Sequence, residues 1–158
     1  MSRMRVVTTA ILSVAATALT FAPAAAAPPG PVDSEPVAIE GACDFTVESV
    51  LTGKFKIIEH GDTSIYVAPN QKITLTNPEN GKTATYVITG SFHDEVQPDG
   101  SIVSKAVGKN LLWGPGVQGL LLTTGNVTVI VTGPYSEDYM LSLQSSRGSI
   151  VDVCDVLE

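Results

Sequence analysis

An all-β fold, an antiparallel β-sandwich of about eight to nine short strands, is predicted by three observations. Apolar and polar residues alternate along several short runs rich in Val, Ile, Thr and aromatic residues, the pattern of a strand with one buried face. Turn-forming clusters separate those runs at intervals of about 8–12 residues. No stretch sustains a helical period for three turns. A closed β-barrel is the alternative with the same strand count. Short uneven runs such as Ile65–Ala68 suit two open sheets better.

The runs follow in order. Cys43, Phe45 and Val47 alternate with Asp44, Thr46 and Glu48, and Phe55 and Ile57 with Lys54 and Lys56. Ile73 and Leu75 alternate with Lys72, Thr74 and Thr76, and Ala84, Tyr86 and Ile88 with Thr83, Thr85 and Thr89. Val127, Val129 and Val131 share one face of a late strand; Tyr139, Leu141 and Leu143 share another. Between them stand Asn77-Pro78-Glu79-Asn80-Gly81, Pro98-Asp99-Gly100, Gly114-Pro115-Gly116, Gly125-Asn126, Gly133-Pro134 and Arg147-Gly148. Their Gly, Pro, Asn and Asp residues suit tight turns.

Ahead of the strands, residues 1–26 have the pattern of a secretory signal peptide. Arg3 and Arg5 precede an uncharged apolar run from Val6 to Phe21, and small residues follow at Ala24–Ala27. Cleavage after Ala26 keeps Pro28 off the scissile bond. The run is about 16 residues, shorter than the roughly 20 a membrane-spanning helix needs. Residues 27–42 carry Pro28, Pro29, Pro31 and Pro36 among small and acidic residues, which predicts a disordered lead. Residues 43–158 form the single β domain, and the product is expected to be secreted and free of the membrane.

Cys43 and Cys154 are the chain's two cysteines. Outside the cytosol two such thiols pair, and the pairing is unique. The bond is expected to join the first and last strands, with a loop-closure contribution of about 4–5 kcal/mol.

Charge narrows the partners. Removing Arg3 and Arg5 leaves 7 of the 9 basic residues against 16 acidic ones, a net of −9 where the whole chain has −7. Such a chain is repelled by phosphate backbones and anionic lipid, which argues against nucleic-acid partners.

Motifs that carry chemistry are sparse. Gly114-Pro115-Gly116-Val117-Gln118-Gly119 fits G-x-G-x-x-G, but that fingerprint needs a helix after the loop, and here Leu120–Thr132 has the pattern of a strand. Asp62-Thr63-Ser64 resembles the triplet of aspartic proteases; His60-Gly61 stand where those enzymes carry apolar residues, and a hydrogen-bonded turn is the plainer account. His93, Asp94 and Asp99 are weak candidates for a cation, because neighbours in a strand point to opposite faces. Trp113, the lone tryptophan, borders a Gly-Pro-Gly turn. With Asn110, Tyr135 and Tyr139 it makes the candidate recognition surface, since aromatic side chains stack on ligands and partners.

The segment Cys43-Asp44-Phe45, the turn Thr74-Leu75-Thr76-Asn77 followed by Gly81-Lys82, the segment Gly108-Lys109-Asn110 and the ending Asp152-Val153-Cys154 together resemble a group of uncharacterised exported actinobacterial proteins. The resemblance covers most of residues 43–158. Its motifs are turns and cysteines, so it implies export and carries over no catalytic residue. The expectation is a secreted, monomeric, non-catalytic domain without cofactor that binds an extracellular or cell-wall ligand. The alternatives are a small hydrolase using Asp62 or a His60/His93 carboxylate cluster, or a protease-inhibitor-like effector presenting Gly133-Pro134-Tyr135.

Overall fold

The computed structural model describes residues 27–133 and 139–158; residues 1–26 and Tyr135 lie outside the described residues. In chain order the elements are β1 (Gly30–Pro31), β2 (Val37–Ile39), β3 (Val47–Thr52), β4 (Lys54–His60), β5 (Thr63–Val67) and β6 (Lys72–Thr76). Then come β7 (Thr83–Val87), β8 (Ser91–Val96), β9 (Ile102–Leu112), β10 (Leu121–Thr132), β11 (Met140–Asp152) and the short helix α1 (Cys154–Leu157).

Strands β1-β4-β5-β8-β9-β10-β11 make a seven-stranded antiparallel sheet, and β2-β3-β6-β7 make a four-stranded one. Neither closes into a barrel, so the sandwich is the architecture. The chain leaves the large sheet after β5, builds the hairpin of β6 and β7 on the small sheet, and returns at β8. Those two crossovers, with the earlier passages from β1 to β2 and from β3 to β4, stitch the sheets together. Gln71 sits on the first, 2% exposed, and its carbonyl accepts the N–H of Ile88 on the second at 3.0 Å.

Two expectations need correction, the disordered lead and the turns at Gly125-Asn126 and Arg147-Gly148, which lie inside β10 and β11. The lead after residue 26 is not disordered throughout: Gly30–Pro31 pairs with β4 and Val37–Ile39 pairs with β3. Its prolines masked a short apolar run, and Ile39 is 3% exposed within the core. The expected disulfide links residues flanking an early strand and the last one. Cys43 lies in the bend before β3, and Cys154 opens α1 after β11. Their Cα atoms are 5.5 Å apart across a sequence separation of 111 residues, so the bond still closes the domain end to end.

Two apolar clusters fill the molecule unequally. At the disulfide end, Val47, Leu75, Leu120, Val153 and Leu157 are fully buried between the small sheet, α1 and the ends of β9 and β10. Asn77 completes this end, donating to the Leu157 carbonyl at 3.1 Å while its own Oδ1 accepts the Glu79 N–H. The second cluster, Ala106, Leu112, Val127 and Val129, lies on the inner face of the large sheet.

The three long strands bend where glycines fall in register. Gly108, Gly125 and Gly148 face one another across β9, β10 and β11, with φ of +87°, +105° and +144°. A side chain there would be strained by its backbone angle. A Cβ on Gly125 would also run into the Arg147 carbonyl, and one on Gly148 into the Thr124 carbonyl. A bulge at Thr128/Val129, with Gln144 as the extra residue of β11, adds to the bending. Flat, β10 would hold its two ends on the order of 35 Å apart. Yet the Leu141 N–H, opposite the last turn of β10, donates to the Pro115 carbonyl in the loop before β10 at 2.7 Å.

Candidate functional site

Curling of the large sheet leaves a cavity of about 520 Å³ over its inner face. That is within the range of small-molecule pockets, about 300–1,000 Å³. Ile57 of β4 and Leu141 of β11 both line it. In a flat sheet those strands would stand about 24 Å apart, five strand spacings, so curvature alone brings them to one space.

The floor is aromatic. Tyr66 of β5 stacks on Phe55 with ring centroids 5.9 Å apart at 18°, and meets Phe92 of β8 edge-on at 6.3 Å and 61°. The Tyr66 hydroxyl accepts a hydrogen bond from the Gln71 amide at 2.6 Å, which ties the floor to the crossover. Val129, Val131 and Leu141 form the opposite wall.

A short polar layer interrupts this apolar lining. Ser64, Asp94 and Ser104 are register partners on β5, β8 and β9, and their side chains all reach the cavity. The Ser104 hydroxyl donates to Asp94 Oδ1 at 2.5 Å. Asp94 is half-buried and Ser104 is 8% exposed. Among the described lining residues, Asp94 carries the one carboxyl group, and no Lys, Arg or His stands with it.

At the mouth stands the loop between β9 and β10. Trp113 is 41% exposed there and lines the cavity together with Val117 and Tyr139. The loop is fastened across the start of β11: Gly114 lies against the side chains of Leu141 and Tyr139, and Gly116 against the Leu141 carbonyl, too close for a Cβ. Asn110, 4% exposed, reaches the cavity's inner end and donates to the Val107 carbonyl at 3.2 Å. Three members of the predicted recognition surface, Trp113, Asn110 and Tyr139, thus converge on one cavity. Tyr135 and the Gly133-Pro134-Tyr135 loop reach outside the described residues.

The candidates for other chemistry scatter. His93 and Asp94 face opposite sides of β8: Asp94 enters the cavity, while His93 is exposed and shares a hydrogen bond with the Ser91 hydroxyl at 3.1 Å. His60 is exposed on β4, separated from β8 by β5. Asp62 is exposed in the turn after β4, and Thr63 donates to the His60 carbonyl at 2.8 Å, as a local turn requires. Asp99 is held in its own turn by the Ser101 hydroxyl and N–H, at 2.7 and 3.0 Å, which keep its carboxyl below the ordinary carboxylate value. Among the described residues, no three His, Cys, Asp or Glu side chains gather into a metal site.

Sequence reasoning missed the cavity's floor and its polar layer. Alternation alone puts Ser64 with Tyr66, and Phe92 with Asp94, on single strand faces. A carboxylate on the same face as an aromatic residue was the available signal.

No family model matches this chain, no curated protein matches it, and no solved structure matches it. Among the described residues no helix is long and apolar enough to cross a membrane.

Proposed function

We propose that this chain is a secreted, monomeric, non-catalytic binding protein whose cavity takes a small, mostly apolar molecule from the extracellular space or the cell envelope. The observation that carries the reading is the cavity of about 520 Å³, apolar along most of its walls, with a few convergent polar groups and a tryptophan at its mouth. Sites for small ligands have that composition: apolar lining supplies affinity, and sparse polar groups orient the guest. The signal-like pattern of residues 1–26, the resemblance to exported actinobacterial proteins and the disulfide support the placement outside the cytosol. The exposed and separate positions of His60 and His93 give the hydrolase alternative no shared pocket.

Trp113 is the chain's single tryptophan and lines the cavity, so its fluorescence reports on occupancy directly. Titration with the neutral apolar probe N-phenyl-1-naphthylamine is expected to give saturable quenching of Trp113 and energy transfer to the probe. At a hundredfold excess over Kd the ligand stabilises the fold by about 2.7 kcal/mol, which a thermal melt reads as a rise in Tm. Linear, non-saturating signals with an unchanged Tm reject the reading.

A further inference from the structure

The chemistry of the cavity wall goes further than a preference for apolar guests. The Asp94 carboxylate is half-buried in an apolar space, and burial of a charge costs free energy unless a partner compensates it. Among the described residues its recorded partner is the Ser104 hydroxyl, on Oδ1 alone. Among the described residues no Lys, Arg or His lines the cavity with it. Lys105, next along β9, is the register partner of His93 and is exposed with it on the outer face of the sheet. Around the carboxylate stand Tyr66 and Phe92, with Trp113 and Tyr139 toward the mouth, and aromatic faces attract cations. A carboxylate with one oxygen uncommitted, in an aromatic cavity free of basic groups, is a receptor for a positive charge.

We propose that the cavity's ligand is an apolar molecule carrying one protonated amine, with the amine donating to Asp94 and the apolar body lying along Tyr66, Phe92 and Val129. The inference rests on the binding reading above and names its ligand class. It also specifies what is rejected: a fatty-acid carboxylate of the same length would meet Asp94 with no cation to receive it.

The test compares three ligands with one twelve-carbon chain, each below its micelle concentration: dodecylamine, dodecanol and dodecanoate, followed by Trp113 fluorescence at neutral pH. The expected order is amine tightest, the alcohol about tenfold weaker, and the carboxylate weakest. In Asp94→Asn, which keeps an acceptor for Ser104, the amine falls to the affinity of the alcohol while alcohol binding is retained. Asp99→Asn removes a carboxylate from an exposed turn and leaves amine affinity unchanged, which separates cavity binding from attraction to an acidic surface. Equal affinity for amine and alcohol in the parent chain overturns the proposal. So does an Asp94→Asn variant with undiminished amine affinity, carboxylate binding as tight as amine binding, or an equal loss in Asp99→Asn. Saturable binding of dodecanol and N-phenyl-1-naphthylamine alongside any of those results overturns the amine alone. Absence of saturable binding by every ligand overturns the cavity reading beneath it.

Discussion

The two ends of this sandwich are built to opposite specifications. At the disulfide end the small sheet, α1 and the tips of β9 and β10 close on one another until Val47, Leu75, Leu120, Val153 and Leu157 reach zero exposure. At the other end the same long strands curl over a cavity of about 520 Å³ that none of the described residues fills, and Ile57 and Leu143 remain 53% and 42% exposed. Packing to crystal-like density supplies stability; leaving a shaped void forgoes it. The comparison teaches a division of labour. One end holds the fold tightly enough for the other to stay open, and the glycine row between them lets the strands turn from one task to the other.

That contrast can be broken first at the staple. Replacing both Cys43 and Cys154 with Ala is expected to cost about 4–5 kcal/mol in denaturant unfolding. Trp113 quenching by the neutral probe, measured well below the unfolding midpoint, is expected to persist, because the cavity is walled by other residues. Loss of binding in a chain that is still folded contradicts the division.

Truncation sharpens it next. Leu75→Ala, at zero exposure, is expected to cost about 3–5 kcal/mol from lost transfer energy plus a new cavity. Leu141→Ala, half-buried beside the existing void, adds little new cavity and is expected to cost about 1–2 kcal/mol. Its larger effect falls on probe affinity. Equal costs from matched urea titrations argue that the two ends are packed alike.

The bend between the ends is tested by Gly125→Ala. A positive φ and a collision with the Arg147 carbonyl predict a loss of about 2–3 kcal/mol, together with weaker probe binding as the Trp113 loop parts from β11. Gly61→Ala, in an open turn with nothing within 4 Å of its Cβ, also has a positive φ, +58°, but lies far from the bend. It is expected to leave binding unchanged.

The smallest effect concerns an exposed turn that belongs to neither end. Asp99 has its carboxyl held below the ordinary value by the Ser101 hydroxyl and then the Ser101 N–H. A folded-state value below the unfolded one means the hydrogen bonds stabilise the fold at pH values above the unfolded carboxyl's titration. That contribution is lost as pH falls through the folded value. Ser101→Ala is expected to move the Asp99 titration up toward the ordinary carboxylate value, read from its side-chain carbon shift, with cavity binding unaffected.

Much of the fold was legible along the chain. Period-two alternation placed the start of β4, β6, β7 and the end of β10, although the run from Cys43 reached β3 only at Val47 and Glu48. The turn clusters marked the hairpins between β6 and β7 and between β8 and β9. Both signals are local, so they survive without knowledge of partners. The strand Val37–Ile39 was hidden because it is too short to show a period and exists by pairing with the edge of β3. The site was half legible. Trp113, Asn110 and Tyr139 stood out by residue type, whereas Tyr66, Phe92 and Asp94 had the pattern of ordinary strand residues.

By itself the sequence determined the class of structure, the strand faces and the unique cysteine pairing, because each follows from side-chain alternation, turn chemistry or the count of thiols. Only the tertiary structure decided that Asp94 stands beside Ser104 inside a cavity and His93 outside it, and that the loop of Trp113 lies across the start of β11. Those placements depend on how far the large sheet curls. Curl is set by the register of Gly108, Gly125 and Gly148 across three strands, a long-range alignment that no single stretch of chain encodes.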